Sequence, residues 1–392
     1  MVEIRKGRPI YLDNHATTAV DPRVMAAMQP YFMERFGNPH SASHFYGWEA
    51  KEAVEIAREE VAALIGADAD EIVFTSGATE ANNLALKGVA RFYRSRKNHM
   101  VTVVSEHMCV LDSAFSLEKE GTKVTYLNVG ADGLIDLDEL KAAITDDTIL
   151  VSIMAVQNEI GTIQPLSEIG AICRERGVFF HTDAAQAAAK IPLDVKVMQI
   201  DLLSLTGHKI YGPMGCGALY VNKRRRVKLE PLFSGGGQER GLRSGTLPAP
   251  LCVGFGVACR VGGEDMATEA PRLTAQRDRL LTKLESVGGV HLNGNMLARV
   301  PGNLNVSVEG ARADDLMAAL PDLALSSGSA CTSVSEESSH VLKAIGLPSE
   351  LAESSLRFGL GRFTTDDEIA YAGERLVTEI ANVRARRAKA AE

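Results

Sequence analysis

The sequence predicts an α/β fold: a large domain on a mostly parallel sheet, followed by a smaller C-terminal α+β domain. Three observations carry this expectation. Helical periodicity alternates with short apolar runs from about residue 50. Most of those runs are apolar throughout rather than at every second position, as in strands covered on both faces. After about residue 260 the texture changes to a long amphipathic helix followed by short strands.

The elements follow in order. Val54, Ala57, Val61 and Leu64 share one helical face, and Gly66 supplies a stop. The apolar runs EIVFTS (71–76), VTVVS (101–105), VTYLNV (124–129), ILVSIMAV (149–156), VFFHT (178–182), DLLSL (201–205) and GALYV (217–221) read as strands. LSEIGAICRERG (166–177) is one of the intervening helices. Gly262-Gly263 and Pro271 mark a transition with a hinge near 255–275, leading into a helix through Leu273, Leu280, Leu284 and Val287. NLNVSV (303–308), LALSS (323–327) and SLRFGL (355–360) are strand candidates. Thr365 and Glu368 have the spacing of a capping box before Ile369, Ala372, Leu376 and Ile380. The charged tail ARRAKAAE is expected to fray.

Composition narrows the function. With 392 residues, 45% hydrophobic and 23% charged, the chain is neither disordered nor fibrous. Its formal charge of −8 argues against nucleic-acid binding. The basic run Lys223–Arg226 reads as a solvated turn. No apolar stretch is long enough to span a membrane, and the N-terminus lacks the apolar core of a secretory signal. Six cysteines without a C-x-x-C pair point to a reducing, cytoplasmic setting. His40 and His44 lack an accompanying glutamate base, which favours a structural role over metal binding.

Three short segments carry chemistry. Lys209 closes Ser204-Leu-Thr-Gly-His-Lys at the end of an apolar strand, where a desolvated amine suits a Schiff base. Alone, it reads more readily as a surface lysine. Asp183 ends the strand before it. A carboxylate there can keep a pyridine nitrogen protonated, although a lone aspartate at a strand end is commonly a helix cap. Ser76-Gly-Ala-Thr-Glu80 opens a helix with free backbone N–H groups suited to a phosphate. Together they match the needs of pyridoxal phosphate. The chain contains no Walker loop, and SGGGQERG (234–241) is not a dinucleotide fingerprint, so a nicotinamide enzyme is disfavoured.

YLDNHATT, FGNPHSASH, FTSGATEANNLALKG, SEH, QNEIGTIQP, HTDAAQ, SGGGQERGLRSGT, SSGSACTS and SSLRFGLGRFTTDDEI together resemble the cysteine desulfurases of iron–sulfur cluster assembly. These are class V aminotransferase-like, fold-type I pyridoxal-phosphate enzymes, and the likeness runs from about residue 10 to 380. It implies an N-terminal segment (1–15) associated with the small domain, a cofactor domain (16–260), and a small domain (261–392) carrying a cysteine loop at about 326–340. Lys209 would bear the cofactor and Asp183 would pair with its ring nitrogen. Gln186 would bond the ring hydroxyl, and His107 would lie over the ring. Ala78, Thr79, Thr206 and His208 would hold the phosphate. Thr246 would reach the neighbouring subunit's phosphate, making the protein a homodimer. Asn158 would contact cofactor and substrate, and Arg357 would bind the substrate carboxylate. Without their motifs, His107 reads as a satisfied strand-end histidine and Arg357 as a surface charge.

Cys331 distinguishes desulfuration from transamination. Its small polar neighbours differ from the apolar setting of a structural cysteine, and SSGSACTS reads as a mobile loop. The resemblance implies that Cys331 takes sulfur from L-cysteine as a persulfide, leaving L-alanine, and passes it to an iron–sulfur scaffold or another acceptor. It further implies Cys331 as a transient ligand of a nascent cluster shared with that scaffold. Housekeeping members extend past the last helix, whereas this sequence ends at Glu392. Nitrogen-fixation-type, housekeeping and other acceptors therefore all stay open. Selenocysteine lyase or class V aminotransferase chemistry on the same fold is the alternative. A non-catalytic sulfur-trafficking subunit is the reading from a different class. Gln157 and Met108-Cys109 depart from the commonest family pattern at positions without an assigned role.

Overall fold

The computed structural model describes residues 7–327 and 339–391, so Cys331 lies outside the described residues. Near the start, β1 (Ile10–Tyr11) leads to α1 (Pro22–Met28), α2 (Pro30–Met33) and the long α3 (Phe45–Leu64). His44 caps α3, its Nδ1 accepting from the Gly47 N–H at 3.2 Å, which gives it the structural role expected.

The main sheet is then built from β2 (Ile72–Thr75), β3 (His99–Val103), β4 (Lys123–Leu127), β5 (Thr148–Ser152), β6 (Phe179–Asp183), β7 (Leu202–Thr206) and β8 (Gly217–Val221). Between them lie α4 (Ala78–Tyr93), α5 (Met108–Lys119), α6 (Leu137–Ala143) and α7 (Leu166–Glu175). The spatial order is β2-β8-β7-β6-β5-β3-β4. Only β8 runs against its neighbours; the rest are parallel. All seven strands coincide with the apolar runs. Every residue of β2, β3, β5, β7 and β8 is buried, because helices cover both faces.

A second layer follows. β9 (Val290–Leu292), β10 (Asn303–Val308), β12 (Ser326–Ser327) and β13 (Ser355–Gly359) form an antiparallel sheet. β11 (Leu323–Ala324) instead pairs in parallel with β1, so the run LALSS divides between two sheets. α9 (Ala313–Ala319), α10 (His340–Ala344), α11 (Ser349–Glu353) and α12 (Asp366–Ala391) complete the chain. The capping box is present: Thr365 N–H donates to Glu368 Oε2 at 2.9 Å, and Glu368 N–H to Thr365 Oγ1 at 3.2 Å. Helix α12 runs to Ala391 and takes in most of the charged tail, whose Ala, Arg and Lys favour helix.

One element differs more. α8 (Ala249–Glu285) is continuous across Gly262, Gly263 and Pro271, so residues 255–275 are helical throughout. Its first half packs Cys252, Phe255, Ala258 and Cys259 into the core beneath the main sheet. Its second half packs Leu280, Leu281 and Leu284 among β10, β13 and α12. Burial at both ends outweighs the hydrogen bond that Pro271 cannot donate. Ile10 and Leu12 join this second core, which draws residues 10–14 across to the C-terminal layer. The basic turn is a turn, with Lys223 facing Asp70 and Arg225 lying 3.4 Å from Asp201.

Candidate active site

Parallel sheets leave a crevice beyond the carboxyl ends of their strands. Here that crevice is a cavity of about 500 Å³, whose lining includes Ala78, Thr79, His107, Asn158, Asp183, Gln186, Thr206, His208 and Lys209. Nine sequence-predicted residues from five separate segments therefore meet in one place.

The floor is a turn between β2 and α4. Gly77 has φ +149°, open to glycine alone, and α4 starts at the next residue. The first-turn N–H groups of α4 therefore face the cavity end without helical partners. The turn sits against β8: a Cβ on Gly217 would lie 2.6 Å from Gly77 Cα and 2.4 Å from the Leu205 carbonyl. Only glycine permits this approach.

Asp183 is the last residue of β6. Its Oδ1 accepts from Ala185 N–H at 2.9 Å and its Oδ2 from Asn82 Nδ2 at 2.6 Å. Asn82, one helical turn after Ala78, escaped the sequence reading; the i, i+4 spacing on α4 was the available signal. Lys209, in the turn after β7, donates from Nζ to the His15 carbonyl at 2.5 Å. His208 beside it meets Thr17 Oγ1 at 3.1 Å, and burial pushes its pKa down to about 4.

His107 caps α5. Its Nδ1 accepts the Cys109 N–H at 3.2 Å and lies 3.1 Å from Cys109 Sγ, which places the ring proton on Nε2. Cys109 also lines the cavity, and its Sγ accepts from Asn82 at 3.2 Å. Gln157 is more than a local variation. Its Oε1 accepts from Glu159 N–H at 2.6 Å and Ile160 N–H at 3.0 Å, while Nε2 donates to the Ser105 carbonyl at 3.1 Å. That bracing shapes the turn presenting Asn158.

Arg357 and Thr246 stand apart from the cavity lining. Arg357 is 1% exposed, pairs with Asp13 Oδ1 at 2.8 Å and donates to the Asn158 carbonyl at 3.1 Å. Its Nε is buried without a partner. Thr246 is exposed. Among the described residues no His, Cys, Asp and Glu group has metal-site geometry, and no helix is long and apolar enough to cross a membrane.

The chain matches the model of the aminotransferase class-V family over residues 10–371. It belongs to the class-V aminotransferase family. Among curated relatives in this family, cysteine desulfurase IscS of Rickettsia rickettsii (strain Iowa) is 57% identical over 378 residues, covering 96% of this chain and 92% of the relative. IscS of Rickettsia bellii (strain OSU 85-389) is 57% identical over 377 residues with the same coverage. Of solved structures, a NifS-like protein shares 36% identity at a TM-score of 0.89, covering 95% of this chain and 99% of its own. SspA in complex with cysteine shares 39% identity at a TM-score of 0.79, covering 91% and 100%.

The cavity of this class-V chain has a buried acidic neighbour with a measurable consequence. Burial pushes the Glu159 carboxyl up to about 7, although Ser339 Oγ donates to its Oε2 at 2.5 Å. Between an ordinary value of 4.5 and about 7, the folded chain then holds a proton that the unfolded chain has released. Stability therefore falls as pH rises through that window and levels above it. Glu159→Gln is expected to flatten this slope, gaining on the wild type in urea midpoint as pH goes from 4.5 to 7.5. Parallel midpoint curves would show that Glu159 keeps no such proton.

Proposed function

We propose that this chain is a cysteine desulfurase: it binds pyridoxal phosphate in the cavity, converts L-cysteine to L-alanine, and takes the sulfur on Cys331. The observation that carries the reading is the convergence of the Lys209 amine, the Asp183 carboxylate and the first-turn N–H groups of α4 on one cavity. An amine, an anion held by two donors and an anion-binding helix start are the set that an aldehyde, a protonated pyridine and a phosphate require. The residues therefore fit the cofactor.

When bound, pyridoxal phosphate supplies an electron sink conjugated to the substrate amine, which loosens bonds at the α-carbon and then at the β-carbon. Lys209 would hold the cofactor through its amine and, once released, move the proton at the substrate α-carbon. Asp183 would keep the ring nitrogen protonated, and Gln186 would donate to the ring hydroxyl. Ala78, Thr79, Thr206 and His208 would hold the phosphate. His107 stands with Nε2 protonated, able to give a proton to departing product. Asn158 and Arg357 would orient the substrate carboxylate, Arg357 sharing its guanidinium with Asp13. The balance is L-cysteine plus the Cys331 thiol giving L-alanine plus a Cys331 persulfide. The cysteine C–S bond breaks and one S–S bond forms, with no external oxidant.

A homodimer with shared sites accompanies this reading. Thr246 is exposed in its own chain, as a residue reaching into a partner's site would be. Phe36, Phe45 and Tyr46 form an exposed aromatic cluster of the kind subunit interfaces cover, with Phe36 and Tyr46 stacked at 5.3 Å and Phe45 edge-on to Tyr46 at 6.4 Å. The persulfide would pass to a scaffold or other acceptor in a reducing, cytoplasmic setting. The test is incubation of the cofactor-loaded protein with L-cysteine and a thiol reductant. Equal amounts of alanine and sulfide are expected. Amino-group transfer to a keto acid without sulfide would replace this reading with an aminotransferase.

A further inference from the structure

Lys190 is a basic side chain beside the cavity that none of these roles uses. It lies in the turn after β6, and its Nζ donates to Gln186 Oε1 at 2.8 Å. With His15, Lys209 and Tyr211 it lines a small void of about 30 Å³ behind Lys209. Burial, together with the charges of Lys209 and Arg357, brings its pKa down to about 7.

The Gln186 amide has two possible orientations, and its neighbours distinguish them. Below about pH 7 Lys190 is an ammonium and offers only hydrogens, so the amide atom facing it must be oxygen. The same oxygen lies 2.9 Å from His15 Nδ1, which therefore carries the ring proton and leaves the buried Nε2 unpartnered. On the other side, Gln186 Nε2 donates to the His15 carbonyl at 2.8 Å, the carbonyl that also receives Lys209 Nζ. A flipped amide would set N–H against N–H at Lys190 and oxygen against oxygen at the His15 carbonyl. The amide nitrogen has two hydrogens and the His15 carbonyl uses one. The second remains for the cavity that Gln186 lines.

We propose that Lys190 is a positioning residue: by occupying Gln186 Oε1 it holds the amide with its nitrogen as a donor to the cofactor site. The inference rests on the reading of the cavity as a pyridoxal-phosphate site. Without Lys190 the flip is opposed only at the His15 carbonyl, so the donor to the cofactor is held less firmly. Lys209, anchored on the same carbonyl, keeps its own place, so the effect falls on cofactor affinity and spectrum.

The experiment is a double-mutant cycle read by absorbance titration of the cofactor-free protein with pyridoxal phosphate at pH 6, where Lys190 is an ammonium. Lys190→Met is expected to raise half-saturation about ten-fold, the scale of one hydrogen bond to a charged or polarised group, and to shift the absorbance maximum. In a Gln186→Met background the same substitution is expected to add nothing. Lys190→Arg, which keeps a donor, is expected to restore wild-type titration. Lys190→Gln, which accepts as readily as it donates, removes the lock with less change in shape and is read identically. Equal effects of Lys190→Met in both backgrounds, or none in either, would overturn the proposal. Failure of both Lys190→Met and Lys190→Gln to fold, with Gln186→Met folded, would assign Lys190 a structural role only. A wild type without saturable absorbance would instead overturn the cofactor reading itself.

Discussion

Cys331→Ala is expected to reduce both alanine and sulfide release from L-cysteine by about 100-fold or more, because the sulfur loses its nucleophilic acceptor. The cofactor's absorbance should stay as in the wild type, since none of the groups expected to hold it is altered. The other cysteines provide the contrast. Cys173, Cys216, Cys252 and Cys259 are buried, and burial pushes the Cys173 thiol up to about 12, so little thiolate forms there. Cys109 is the one described cysteine that is partly exposed, and it lines the cavity. Cys109→Ala is therefore the informative companion. If it alone abolished sulfide release while Cys331→Ala did not, the acceptor would be the cavity thiol.

Lys209→Ala is expected to lower turnover about 1,000-fold or more, since one amine is asked both to hold the cofactor covalently and to move the α-proton. Cofactor should still bind through the α4 N-terminus and Asp183, which do not depend on the lysine. Borohydride reduction followed by peptide mass analysis separates the two contributions. The wild type should carry the reduced cofactor on Lys209 and the variant should carry none. Labelling of Lys190 in the wild type would move the covalent role to that lysine, whose pKa of about 7 also leaves it reactive near neutral pH.

Much of this protein is legible in its sequence because its information is local. A strand covered on both faces must be apolar along its length, and most of the seven runs that announced the main sheet are of that kind. Thr365 and Glu368 announced the start of α12 from their spacing alone. Ser76–Glu80, Asp183 and Lys209 stood at strand ends, where parallel sheets place their sites, and they meet in the cavity. Cys331 rests on sequence alone, through the small polar residues around it.

Tertiary structure decided what depends on partners distant along the chain. Gly262, Gly263 and Pro271 mark a break by every local rule, yet α8 passes through them because its two halves are buried in different cores. Asp13 holds Arg357 across a separation of 344 residues, and Asn82 supports Asp183 across 101. His15 reaches the Gln186 amide across 171. Propensity and spacing describe a residue's neighbours within about one helical turn or one strand pair. A buried donor finds its acceptor only once folding has brought the two segments together, and that meeting sets the orientation of the groups around the cavity.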